Sequence, residues 1–484
     1  MRRGNWAAPL PSRDTAVASA ILVMAVSVGC DAARDAPKPA SEPGSTAQQE
    51  TTASPMRRSD ADAPLSISPV SLALDRPAAQ PSVVADPARD RFVLSWQERD
   101  ADDCATLRTA TLGRDGALGT PRDVARGCDW FVNWADFPSV AIADNGDWWT
   151  YYLQKSAAST YAYDIRLMRS GDEGRTWSAP ITPHTDRTPT EHGFVSMVPM
   201  GGDRMLLAWL DGRNTMTPPA DGAHDAHGVD HGASSAGHAH AEGPMSLRSA
   251  EIGRDFVLSH EREVDARVCS CCPTDLVRMG DGAVLVYRDR SDDEVRDVYA
   301  ATYRDGRWTP GEAVRVDGWQ IAACPVNGPA LATSDGRVAA LWPTMAGATL
   351  RVKGALVGAA DPAIALESGE AVLGRPDLAP WRGGRWLATW LGADRGAAQA
   401  LRIATLSPAL APAAVHDVAL LPPGRGTGMP KLASLGDVAM LVWTEPRAAA
   451  GAEARVGTVQ VRRIVPGASP GASTRAPVNR QASP

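Results

Sequence analysis

Short apolar runs come in pairs along this chain, each pair joined by a tight Gly or Asp turn and ending on an aromatic residue. The pairs run from Ser82 to Trp96, Ser139 to Tyr152, Phe194 to Trp209, Asp275 to Tyr287, Pro329 to Trp342, Pro376 to Trp390 and Pro430 to Trp443. Apolar runs this short, bounded by turn residues, predict strands and not helices. Each unit then offers two further strand-like runs, as in Arg296 to Tyr303 and Trp308 to Val314. Four short antiparallel strands recurring about every 50 residues predict an all-β fold, a single β-propeller of four-stranded blades. The count is seven blades, with six as the alternative if one unit is split. The last unit has three clear strands, the third from Ala454 to Val465. Leu65 to Ser68 is the candidate for its fourth, which would close the ring and hide the edge strands.

Composition refines this picture. The 484 residues would make about three domains on length alone, but the repeat makes residues 67–465 one domain. At 44% hydrophobic and 22% charged the chain can bury a core. The net charge of −7 argues against nucleic acid, or a membrane surface bound by bulk charge, as a partner. Residues 30–66 and 466–484 are rich in Ala, Pro and Ser without apolar periodicity and read as a flexible tether and a disordered tail.

Arg2, Arg3 and Arg13 precede an apolar run from Ala16 to Val28, too short to cross a bilayer, so residues 1–29 read as a signal peptide. Gly29-Cys30 at its end resembles the lipobox of bacterial lipoproteins, which implies a lipid on Cys30 and anchoring to a membrane facing the periplasm or cell surface; the protein is expected to be a monomer.

Ser170-Gly171-Asp172-Glu173-Gly174-Arg175-Thr176-Trp177 resembles the Asp-box, or BNR repeat, of the sialidase superfamily, and Tyr303 to Trp308 resembles a decayed copy. Asp172 can accept turn amides, Gly174 can take a positive φ, and Trp177 fills the next strand. The resemblance implies that the motif marks the turn between a blade's third and fourth strands. It also implies binding of an acidic glycan or other anionic small ligand and, if the protein is an enzyme, exo-α-sialidase hydrolysis. Sialidases clamp the sugar carboxylate with three Arg and use a Tyr activated by Glu together with an acidic Asp. Arg213, Arg288 and Arg290 are the candidate clamp, with Asp211, Asp289 or Glu294 as acid or base and Arg296 in the same dense run. Tyr287 reads as a packing residue.

The face opposite the Asp-box turn carries the second-to-third loops and the connections between blades. There, carboxylate and Arg follow strand two in five units: Glu98/Arg99, Asp211/Arg213, Asp289/Arg290, Asp394/Arg395 and Glu445/Arg447. Taken singly such pairs satisfy loop backbone, whereas a ring of them would suit an anion. Cys104 and Cys128 belong to this face and are expected to form a disulfide. Cys269, Cys271 and Cys272 lead into unit four and Cys324 into unit five. They are either disulfide-bonded or a thiolate site for Cu or Zn. Residues 218–244 form an insertion with His224, His227, His231, His238 and His240, a composition suited to loose metal capture. No cofactor is required. Three functions therefore stay open: a sialidase-like glycan binder, a non-catalytic metal-binding propeller, and a protein-interaction scaffold.

Overall fold

The computed structural model describes residues 64–74, 76–216, 243–393, 398–422, 424–446 and 457–467. The strands form seven antiparallel sheets, so the ring has seven blades and not six. Blade one is Ala78–Asp86, Arg91–Arg99, Ala105–Gly113 and Arg122–Gly127, paired in that order. Blade three is His192–Pro199, Met205–Asp211, Ser246–Ile252 and Leu258–Asp265. Blade four opens with Asp275–Met279, Gly282–Arg288 and Val298–Arg304, and its outer position is split between Arg307–Trp308 and Glu312–Ala313. Blade two has only three regular strands, Val140–Ile142, Trp148–Lys155 and Tyr163–Ser170. Its fourth position is an irregular segment held by a backbone pairing between Leu167 and Ile181.

Closure of the ring uses the two ends of the fold. Leu65–Val70 runs antiparallel to Gly457–Pro466, with Ile67 opposite Ile464 and Val70 opposite Val461. The first strand thereby becomes the outer strand of blade seven, and blade seven gains no free edge on that side.

Because each sheet packs against a neighbour on both faces, the second strands are apolar on both sides. Every residue of Met205–Asp211 and of Gly282–Arg288 is buried. The core is accordingly a set of wedges between successive blades. One wedge joins Leu206 and Leu247 of blade three to Leu276 and Leu285 of blade four. Another joins Phe92 and Leu94 of blade one to Met440 and Val442 of blade seven. The aromatic residues that end the second strands fill these wedges: Trp96, Trp209, Trp342, Trp390 and Trp443 are fully buried. A buried aromatic of this size contributes a few kcal/mol each through the area it removes from water.

The inner strands surround an axial cavity of about 260 Å³. Three buried carboxylates tie that ring together. Asp136 accepts the Phe194 amide at 2.9 Å, Asp275 the Leu331 amide at 2.7 Å, and Asp377 the Leu432 amide at 2.7 Å. Each bond reaches from one blade to the innermost strand of a neighbour. The octapeptide at Ser170 forms the turn at the far end of blade two's third strand. Asp172 accepts the Thr176 amide at 2.8 Å and its hydroxyl at 2.7 Å, which hold its carboxyl down at about 2, and Gly174 sits at φ 76°.

Candidate functional site

Antiparallel order alone decides which residues share a face. In every blade the start of the innermost strand, the second-to-third loop and the connection to the next blade lie at one end of the strands. Cys104 and Cys128, from two such segments of blade one, are joined in a disulfide. Two of the paired rim positions show a shared local design. The Trp96 indole donates to Glu98 at 2.9 Å, and the Trp209 indole donates to Asp211 at 2.9 Å. Asp211 also receives both ends of the Arg213 fork at 2.7 Å. Glu98 takes Arg108 at 3.2 Å and not its neighbour Arg99, so both carboxylates are buried anchors for a tryptophan and an arginine and not open ligands.

The densest chemistry lies between blades four and five. A turn at Ser270–Cys271 folds the segment leading into blade four back on itself. It brings Cys272 to 3.4 Å from Cys269, and Cys271 to 3.8 Å, sulfur to sulfur. The offset of three between Cys269 and Cys272 is one that thiolate metal sites use. Cys324, from the segment leading into blade five, places its sulfur 3.6 Å from the Ser270 hydroxyl. Cys269, Cys271, Cys272 and Cys324 are all free thiols. Cys269 and Cys272 are fully buried.

Arg296 is also fully buried and donates to the Cys269 sulfur at 3.3 Å and to Glu294 at 2.7 Å. Hydrogen bonds from the neighbouring thiols, with this guanidinium behind them, hold the Cys269 thiol well below its ordinary range. A contact with Cys271 lowers Cys324 to about 7, whereas burial pushes Cys271 up and Cys272 up to about 12. Thiolate character is therefore concentrated on two of the four sulfurs. The Asn327 amide points at the Cys272 sulfur from 3.5 Å.

The expected carboxylate clamp is not assembled. Arg288 donates to three backbone carbonyls, those of Arg296 at 2.6 Å, Asn327 at 2.9 Å and Pro343 at 2.8 Å, and lies 4.7 Å from the Trp319 ring. It rivets blade four to blade five and has no fork left for a ligand. Arg290 is held by Glu294 at 2.5 Å, and Arg213 by Asp211 and Asp186. Burial raises the Asp289 carboxyl to about 6. Cys30, the five His of the insertion, Asp394, Arg395 and Arg447 lie outside the described residues.

Sequence reading missed two groups on this face. The Tyr163 hydroxyl lies 2.9 Å from Asp136 and 2.7 Å from Glu191, but Tyr163 is fully buried beneath the stacked Phe131 ring, so no substrate reaches it. His184 and His192 stack beside Asp186. Each of these residues stands alone in the sequence, and only the fold gathers them. The sole signal was the run of polar residues between Thr182 and His192, in a connection that topology assigns to this end.

No protein-family model matches the chain, and no curated protein matches it in sequence. Solved structures do resemble it. One is a protein of unknown function from Dyadobacter fermentans, at 12% identity over 82% of this chain and 97% of that one, with a TM-score of 0.45. A Penicillium chrysogenum α-L-arabinanase complexed with arabinobiose gives 13%, 68%, 92% and 0.40. A leech intramolecular trans-sialidase gives 9%, 77%, 82% and 0.43.

Proposed function

We propose that this chain is a metal-binding propeller whose four sulfurs, Cys269, Cys271, Cys272 and Cys324, take a soft ion of the Cu(I) class. The observation that carries this reading is the cluster of three free sulfurs, Cys269, Cys271 and Cys272, with the buried Arg296 guanidinium against one of them and the free Cys324 thiol of a second segment beside Ser270. Thiolate donors select soft ions, Cu(I) first and Zn(II) as the tetrahedral alternative. Arg296 stabilises the thiolate that such an ion needs, and binding would release the protons still held by Cys271 and Cys272. The His-rich insertion at 218–244 supplies imidazoles for loose capture in the same proposal. Lipid anchoring at Cys30 places the protein outside the cytoplasm, where the Cys104–Cys128 disulfide persists.

The test is Cu(I) titration of the reduced full chain against a chromophoric chelator. Cys324→Ser and Cys272→Ser are each expected to weaken binding at least ~10-fold, since each removes a ligand. Unchanged affinity in both variants would remove the site.

A second reading, recognition of an acidic glycan or similar anion, is favoured by a different group. Arg375 and Arg425 lie 4.4 and 5.7 Å from the Trp134 ring. Neither has a carboxylate partner among the described residues; the Arg375 guanidinium donates only to the carbonyls of Gly428 and Gly424. Burial and the like charge of Arg425 lower Arg375 to about 10. Two guanidiniums without a counter-charge attract an anion. Binding of a sialoside that Arg425→Ala abolishes would support this reading, and the same binding in the variant and the parent would reject it.

A further inference from the structure

The connection from blade two to blade three carries a second donor cluster that neither reading above uses. His184 and His192 stack face to face, with 3.8 Å between ring centres and 6° between planes. Both side chains are shut off from solvent. Asp186 accepts from each ring: from Nδ1 of His184 on Oδ1 at 3.1 Å, and from Nε2 of His192 on Oδ2 at 3.1 Å. Asp186 is itself held anionic by the Thr188 amide at 3.2 Å and by Arg213 at 3.4 Å.

A carboxylate that accepts from one nitrogen of a neutral imidazole fixes the tautomer and leaves the lone pair on the other nitrogen. Here the other nitrogens are Nε2 of His184 and Nδ1 of His192. Both stand beside one atom, Oδ1 of Asp164, at 3.7 and 3.6 Å. His184 Nε2 and Asp164 Oδ1 are buried, and neither makes a hydrogen bond. His192 Nδ1 has the Tyr163 carbonyl at 3.4 Å, which in this tautomer is an acceptor facing an acceptor. With both rings neutral and their protons directed at Asp186, lone pairs from two nitrogens and a carboxylate oxygen converge. A cation in that space would convert the mutual repulsion into three bonds.

We propose that Asp164, His184 and His192 bind a borderline divalent transition-metal ion such as Zn(II), with Asp186 as the outer carboxylate that positions both rings. The three ligand atoms lie within 4.8 Å of one another. Around a tetrahedral ion with bonds of about 2.0 Å they would stand about 3.3 Å apart, so the two nitrogen-to-Asp164 distances of 3.7 and 3.6 Å would contract by a few tenths of an ångström. The rings must also splay, because one ion cannot lie in two parallel ring planes. Asp164 is 28% exposed, which leaves a path for the ion and room for water as a further ligand. Two nitrogens and one oxygen suit Zn(II) and its neighbours in the series, not the Cu(I) class that sulfur selects. The site is thus independent of the thiol reading, and either can fail alone.

Crystals of the full chain soaked in zinc, with diffraction recorded at the zinc edge, test the proposal on the unaltered protein. The expected result is an anomalous peak in bonding contact with His184 Nε2, His192 Nδ1 and Asp164 Oδ1, with the ring stack opened. Zinc elsewhere on the molecule and none at these atoms would overturn it. In solution, cobalt(II) separates this site from the sulfurs, because only thiolate ligation gives an intense near-ultraviolet charge-transfer band. His184→Gln and Asp164→Asn, compared with the parent so that the His-rich insertion is common to all, should each lose one equivalent whose visible bands lack that component. Asp186→Asn should keep the equivalent but bind it about 10–100-fold more weakly. Unchanged stoichiometry in variants that retain the parent's circular dichroism would also overturn the proposal.

Discussion

Replacing Asp136 by Asn should abolish much of the pH dependence of this protein's stability. Asp136 is 2% exposed, beside the axial cavity. Its two oxygens face the Phe194 amide and the Tyr163 hydroxyl, both at 2.9 Å. A phenol has a single proton to donate, and Tyr163 also contacts Glu191, so a hydrogen bond at both contacts requires one of the two carboxyls to keep its own proton. Burial pushes the Asp136 carboxyl from 3.8 up to about 7. Between those values the folded state holds a proton that the unfolded chain has released, so stability falls as pH rises through that window. At about 1.4 kcal/mol per pH unit, a window of about three units amounts to roughly 4 kcal/mol, an upper bound because Glu191 shares the same phenol. Asparagine preserves both contacts: its carbonyl accepts from Phe194 and its amide donates to Tyr163. Urea unfolding of parent and Asp136→Asn should therefore agree near pH 4 and diverge steadily, with the variant more stable by several kcal/mol at pH 8. Parallel stability curves across pH 4 to 8 would refute the reasoning.

Other consequences are simpler. The Cys104–Cys128 bridge closes a loop with a sequence separation of 24, so the double Ser variant should lose about 3 kcal/mol, read from the urea midpoint in non-reducing buffer. An unchanged midpoint would mean that the disulfide adds nothing to folding. Deleting residues 65–70 removes the outer strand of blade seven and exposes the edge of Gly457–Pro466. It should lower Tm and produce aggregates by light scattering. A monomeric deletion variant with the parent's Tm would show that the ring does not depend on this closure.

The architecture was legible because blade geometry forces a repeated pattern. A second strand buried on both faces must be apolar throughout, and the Trp or Tyr that ends it fills a wedge between blades, so Trp96 through Trp443 mark the blades in the sequence. Even the closing strand at Leu65 could be read, since blade seven lacked its fourth strand. The rim was harder. Carboxylate and Arg pairs recur there, but Asp211 is spent on Trp209 and Arg213, and Arg288 on three carbonyls, which no spacing rule reveals. The segments carrying Cys269 to Cys272 and Cys324 were placed at the correct end by topology, yet whether sulfurs meet depends on a turn at Ser270–Cys271. His184, His192 and Asp164 carry no signal in the sequence, because two isolated imidazoles gain meaning only through the carboxylate that the fold sets between them.

The most direct measurement counts free thiols and bound metal together on the mature protein, purified without chelator and denatured under argon. The thiol reading expects four free thiols after metal release, beside the intact Cys104–Cys128 disulfide, and about one equivalent of copper or zinc that Cys272→Ser loses. Fewer free thiols, with Cys269, Cys271, Cys272 and Cys324 found in disulfides and no metal retained, would contradict it.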